Sequence, residues 1–141
     1  MNVMTRAEAV AFLAEGNRTG KLATASRVGV PHVAPVWFVV DGDDIVFTTG
    51  AQTLKGRNLT ENPLAALTVD AVEFPHTFVV VRGPVSIDET LSELLAWATL
   101  IAERYVPAGR AEEYGRRNGV PGELLCRLHM QRIRAERDIA L

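Results

Sequence analysis

Cysteine is almost missing from this chain: Cys126 is the only one in 141 residues. A single thiol excludes an intrachain disulfide framework and a cysteine-based zinc site, and it fits a reducing compartment. A dominant charge is lacking too. The formal net charge is −2, without the basic excess of a nucleic-acid binder or an acidic block that would read as a tail. Arginines do gather late, from Arg110 to Arg137, but Glu112, Glu113, Glu123, Glu136 and Asp138 interleave with them. No apolar run approaches the ~18 residues that a membrane helix needs. Arg6, Glu8 and Glu15 break up the N-terminal stretch, so no signal-peptide pattern forms and the expected address is the cytoplasm. Several enzyme motifs are also missing. No G-x-G-x-x-G follows a strand and no G-x-x-x-x-G-K occurs, which disfavours nucleotide-loop folds. There is no H-E-x-x-H, no G-x-S-x-G and no usable cysteine–histidine pairing, and three scattered histidines do not make a metal site.

What is present is an ordinary globular composition, 48% hydrophobic and 23% charged, in a length that suits one domain over 1–141 with a real core. Residues 5–15 predict a short helix, with Thr5 and Glu8 as a capping box and Gly16 as its stop. The pattern then changes to strands. KLATAS, PHVAPVWFVV and IVFTT follow one another with turns at Gly29 and at Asp41-Gly42-Asp43-Asp44, and the spacing predicts an antiparallel meander. Residues 52–61 predict a helix stopped at Asn62-Pro63. LAALTVD and TFVVVRGPVSI are the next strands, the second bent or unpaired at Gly83-Pro84. Thr90 and Glu93 suggest a second capping box, opening a helix with Leu91, Leu94, Leu95, Ala98, Ile101, Ala102 and Tyr105 on one face. A polar helix over 108–118 precedes ELLCRLHMQ, a half-buried strand with Leu124, Cys126, Leu128 and Met130 turned inward. Six short strands joined by tight turns, with flanking helices, point to a mainly β fold: an antiparallel barrel.

The stretch with chemical content runs from His32 to Asn58. A hairpin ends in Thr48-Thr49-Gly50 and a helix begins at once, with Thr53 placed to cap it and Lys55 and Arg57 in its first turns. A helix N-terminus offers unpaired N–H groups and partial positive charge. With two threonine hydroxyls and two cations beside it, the junction reads as a phosphate or carboxylate site; Gly56 leaves room for close backbone approach. A solvated helix with ordinary surface cations is the bland alternative.

The order and spacing of several short motifs resemble the pyridoxamine 5′-phosphate oxidase-like FMN-binding split-barrel superfamily. They are Gly20-Lys21-Leu22-Ala23-Thr24, Pro31-His32-Val33-Ala34-Pro35-Val36-Trp37-Phe38, Phe47-Thr48-Thr49-Gly50, Thr53-Leu54-Lys55-Gly56-Arg57-Asn58-Leu59 and Val79-Val80-Val81-Arg82-Gly83. Within that group the Lys55-Gly56-Arg57-Asn58 form is closer to members described as using the deazaflavin coenzyme F420 than to those using FMN. The resemblance implies a six-stranded split barrel and a homodimer with cofactor sites at the subunit interface. It also implies an oxidoreductase function, with hydride passing between the cofactor and a small substrate. Residues 32–58 would supply much of the cofactor site. The strand from His32 and Val33 through Ala34, Pro35 and Val36 to Trp37 would run beside the ring. Thr48, Thr49 and Gly50 would lie near the phosphate-bearing chain, and Thr53, Lys55 and Arg57 would hold the phosphate. No catalytic side chain is implied, because the ring carries the chemistry. The C-terminal Arg132-Ile133-Arg134-Ala135-Glu136 lacks the Arg-Leu-x-Pro-type segment of the larger oxidases, which weighs against vitamin B6 oxidation. Other readings are a non-catalytic carrier of F420 or FMN, and a haem binder, which would need a histidine as axial ligand. Outside the cofactor set, Trp97 has two readings, a contact to a partner subunit or the site mouth and a plain surface residue; Arg127 and Arg132 read as contacts to a polyanionic tail or as cross-strand salt bridges.

Overall fold

Thr5 starts the first helix in the way its sequence pattern predicts. In the computed structural model, which describes residues 2–141, its hydroxyl accepts from the Glu8 N–H while the Glu8 carboxylate accepts from the Thr5 N–H. Helix α1 (Arg6–Ala14) then buries Ala9, Phe12 and Leu13 against the barrel and ends at Gly16, whose φ of 60° suits a residue without a side chain. Four strands follow: β1 (Gly20–Ala25), β2 (Pro31–Val36), β3 (Val39–Asp41) and β4 (Asp44–Gly50). Helix α2 (Leu54–Glu61) leads to β5 (Leu64–Ala71) and the long β6 (Thr77–Asp88). Helices α3 (Leu91–Tyr105) and α4 (Ala111–Asn118) precede β7 (Glu123–His129) and β8 (Arg132–Arg137). No helix among the described residues is long and apolar enough to cross a membrane.

The eight strands form one curled antiparallel sheet in the order β2-β1-β5-β6-β7-β4-β3, with β8 paired to β6. Strands consecutive in the chain, β2 and β3, therefore lie at opposite ends of the sheet. The expected meander of the first three strands does not form. PHVAPVWFVV is cut at Trp37-Phe38: Pro31–Val36 pairs with β1, and Val39–Asp41 with β4. The cut is stable because Phe38 gives its backbone groups to α3. Its N–H donates to the Tyr105 hydroxyl at 3.3 Å, and its carbonyl accepts from Arg104 Nη1 at 2.7 Å. The fully buried Phe38 ring fixes the residue inside the barrel, with the Arg104 guanidinium 4.5 Å above it. The two sheet ends are thus joined by a covalent step rather than by a ladder, and the barrel is split there.

The Gly83-Pro84 irregularity has a definite role. β6 pairs with β8 as far as Arg82↔Arg132 and with β7 from Val85↔Leu128 onward. Two residues of β6 thus face three, His129, Met130 and Gln131, which is a bulge within one long β7–β8 arm. A Cβ on Gly83 would come within 1.9 Å of the His129 carbonyl oxygen, so only glycine fits. The strand read as ELLCRLHMQ is therefore not the last. Leu124, Cys126, Leu128 and Met130 are buried as the alternation predicts, but so is Leu125, which packs under α3 with Val46 and Leu94. Burial pushes the Cys126 thiol up to about 12, which leaves it protonated and inert.

Helix α3 lies outside the barrel on β4 and β7, burying Leu94, Ala98, Ile101 and Ala102, while Leu91 and Leu95 remain exposed. Its expected capping box is absent. Thr90 makes no side-chain cap, and its N–H donates to Asp88 Oδ1 at 2.8 Å, a local turn that competes with the box. At its other end Arg104 also donates to the carbonyls of Leu13 and Gly16, at 2.7 and 3.0 Å, and so ties the end of α1 to the sheet break. Replacing Arg104 by alanine is expected to lower the unfolding free energy by about 3 kcal/mol, since several carbonyls lose a charged donor. Lysine should recover only part, lacking the planar fork. Urea denaturation of the two variants measures this, and a loss below about 1 kcal/mol for alanine contradicts it.

Candidate functional site

The β4–α2 junction is built by its threonines. The Thr53 hydroxyl accepts from the Gly56 N–H at 3.1 Å and donates to the Gly50 carbonyl at 2.7 Å. Its one hydrogen is then used, so Thr49, 3.2 Å away, must be the donor between the two hydroxyls. Gly50 O also accepts from the Thr53 N–H at 3.1 Å. A Cβ on Gly56 would stand 2.1 Å from Gly50 O, so the helix can seat this tightly only with glycine there. Asn58 anchors the far side by donating to the buried Thr24 hydroxyl at 3.1 Å. Capping satisfies Gly56, and the N–H groups of Leu54 and Lys55 are left pointing out of the helix start.

Beside this helix start, Thr53 and Lys55 line a cleft of about 380 Å³. Its polar lining comes from Thr48, Thr49, Thr53 and Lys55, with Asn118 of α4 and Glu123 of β7. Its apolar lining comes from Pro35, Val36 and Trp37 at the end of β2 and from Ala98 and Ile101 of α3. Trp37 is held in place by stacking on Tyr105, with ring centroids 5.3 Å apart and planes 4° from parallel. Burial raises the Tyr105 phenol above its ordinary range, so it remains a hydroxyl at neutral pH and keeps its bonds to Phe38.

The structure gathers eight of the twelve residues singled out from the sequence: Pro35, Val36, Trp37, Thr48, Thr49, Gly50, Thr53 and Lys55. The hydroxyls of Thr49 and Thr53 are occupied in building the junction. The other four lie elsewhere. Val33 is 64% exposed on the outer face of the sheet. His32 and Ala34 are half-buried opposite Thr24 and Leu22, and His32 Nδ1 is enclosed without a partner among the described residues. Arg57 lines a neighbouring cleft with Gln52, Glu61 and Glu89. No histidine lines the main cleft among the described residues. Arg127 takes its salt-bridge reading, reaching Asp41 at 2.9 Å and Asp44 at 3.3 Å, with Trp97 packed beneath its guanidinium. Sequence reading missed Asn118, Ala98, Ile101 and Glu123 as cleft residues. Glu123 carried one usable signal, its place directly after the Gly122 turn, which puts it in register with Gly50.

A family model described as pyridoxamine 5′-phosphate oxidase matches residues 5–135. No curated protein matches the chain. Among solved structures, the conserved hypothetical protein Rv2991 from Mycobacterium tuberculosis has 24% identity and a TM-score of 0.83, over 99% of this chain and 90% of that one. A protein described as F420 reductase has 26% identity and a TM-score of 0.67, over 86% and 93%. HutZ, a haem storage protein from Vibrio cholerae, has 20% identity and a TM-score of 0.71, over 92% and 94%.

Glu123 carries the pH dependence of the cleft. Burial raises its pKa above the ordinary carboxylate value, and Lys55 pulls the other way. The folded chain therefore binds this proton more tightly than the unfolded chain, and Glu123 lowers stability as pH rises through its raised pKa. Glu123→Gln should be at least as stable as the parent at pH 7, with the difference closing near pH 4. Thermal melts across that range measure it, and a variant less stable at pH 7 contradicts it.

Proposed function

This chain belongs to the pyridoxamine 5′-phosphate oxidase family, and we propose that it is an oxidoreductase that binds a flavin-type cofactor in the β4–α2 cleft. The deazaflavin coenzyme F420 is favoured over FMN, and the reaction is hydride transfer to a small substrate. The observation that carries this reading is the joining of two features in one cleft: a helix start with Lys55 beside it, and a flat aromatic wall at Trp37. The first suits a phosphate and the second a planar ring. The volume of about 380 Å³ falls within the range of small-molecule sites. The preference for a deazaflavin is supported by the match to a protein described as F420 reductase.

When bound, such a ring supplies the hydride chemistry. The chain's own part is positional. Lys55 and the N–H groups of Leu54 and Lys55 hold the anionic end. Val36, Trp37, Ala98 and Ile101 exclude water from the ring, and the Tyr105 stack keeps Trp37 from turning away. Val33 and Arg57 remain in the proposed site as residues completed from outside this cleft, while His32 and Ala34, on the other face of β2, would take part through their backbone. A homodimer supports that role. Val33, Ala23 and Ala66 stand side by side on the outer sheet face, with exposed Leu64 nearby, an apolar strip suited to a second copy.

A non-catalytic carrier of the cofactor is the alternative reading. Turnover separates the two. The reading predicts oxidation of reduced cofactor by small conjugated acceptors; tight binding without turnover across a broad panel indicates the carrier. For binding, spectroscopic titration of Lys55→Ala should show a loss of about 1–3 kcal/mol. Arg57→Ala should lose less, and unchanged affinity in Lys55→Ala sinks the phosphate assignment. For the dimer, light scattering should give twice the chain mass, falling to one for Val33→Arg combined with Leu64→Glu. A parent that is monomeric at micromolar concentration contradicts the interface.

A further inference from the structure

Glu123 is half-buried in the cleft, yet its carboxylate makes no hydrogen bond or ion pair among the described residues. It stands opposite Gly50 in the β4–β7 register, with Oε1 3.9 Å from where a Gly50 Cβ would be. A Cβ there would be in ordinary contact with the carboxylate and would crowd the Thr53 methyl at 3.2 Å. Two residues along the same face, Leu125 is sealed under α3, whereas Glu123 reaches the cleft that Lys55 of α2 and Ala98 of α3 also line. The other charge in the cleft, Lys55, arrives from α2 and is likewise without an ion-pair partner among the described residues. A carboxylate that has lost part of its water and gained no donor is destabilising unless a ligand supplies one.

A bare phosphate would meet Lys55 and the α2 N–H groups on one side and the repulsion of Glu123 on the other. A ligand in which hydroxyls follow the anionic group satisfies both. We propose that Glu123 accepts hydrogen bonds from the hydroxyls of a polyol chain linking the anionic group to the ring. It is thus the residue by which the cleft distinguishes a polyol phosphate from phosphate alone. The inference rests on the cofactor reading above. Glu123 is assigned to neither proton transfer nor phosphate binding.

Binding of FMN, riboflavin and inorganic phosphate to the parent and to Glu123→Ala, Glu123→Gln and Lys55→Ala tests it, by flavin fluorescence for the first two and calorimetry for the third. Riboflavin carries the polyol without the phosphate. Glu123→Ala should weaken FMN and riboflavin by a similar factor, about tenfold or more, the size expected for a lost bond to a charged acceptor. Its affinity for phosphate should hold or rise. Glu123→Gln, which keeps the shape and a weaker acceptor, should show the same pattern at smaller size. Lys55→Ala should weaken FMN and phosphate and spare riboflavin. If only deazaflavins bind, the same comparison runs on coenzyme F420 against its phosphate-free ring-and-polyol portion. Riboflavin affinity unchanged in Glu123→Ala, or all three ligands weakened alike, overturns the role of Glu123 alone. A parent that binds no flavin or deazaflavin overturns the cofactor reading, and this inference with it.

Discussion

Phe38 is where the sheet releases the chain, and a backbone released inside a barrel must find other partners. Its N–H and carbonyl are both taken by α3, through the Tyr105 hydroxyl and the Arg104 guanidinium. Arg104 reaches further, to the carbonyls of Leu13 and Gly16 at the end of α1. A single helix end thus holds together the first helix, the last residues of β2 and the first of β3. A buried carbonyl without a donor costs about 1–3 kcal/mol, a large share of a domain's net stability. The break between β2 and β3 is therefore held by this knot.

The candidate site is a by-product of the same break. Because β2 ends at Val36, Trp37 is free of the ladder and turns onto Tyr105, the side chain that also bonds Phe38. The α3 helix that satisfies the break brings Ala98 and Ile101 over the outer face of β4. The threonines at the end of β4 then start α2 at a fixed distance from that wall. Trp37 and the α2 start, which the proposed site brings into one cleft, are positioned by one set of contacts.

Much of this was legible in the sequence, and the gaps have physical causes. Period-2 runs and turn residues located β1, β4, β5 and β6, because those signals are local. The Thr53 cap and the close approach at Gly56 were likewise readable from adjacent residues. The cut at Trp37-Phe38 was not. PHVAPVWFVV is a continuous strand by composition, and its interruption depends on Arg104 and Tyr105, more than sixty residues away. β8 was hidden because RIRAER is dominated by charged residues, with only Ile133 and Ala135 to mark an inward face, and its pairing with β6 is nonlocal. Glu123 looked like one acid among several offsetting the late arginines, and only its register with Gly50 brings it into the cleft. The family resemblance added an expectation that local physics lacked, a phosphate for the anion site and a planar ring beside Trp37.

The central claim is that one cleft holds both ends of a flavin-type cofactor. A crystal structure of the chain grown with coenzyme F420, and in parallel with FMN, tests it most directly. The account predicts the ring against Trp37, its phosphate at the start of α2 beside Lys55, and a polyol hydroxyl facing Glu123. A ring bound elsewhere, or a phosphate held away from the α2 N-terminus, would contradict it.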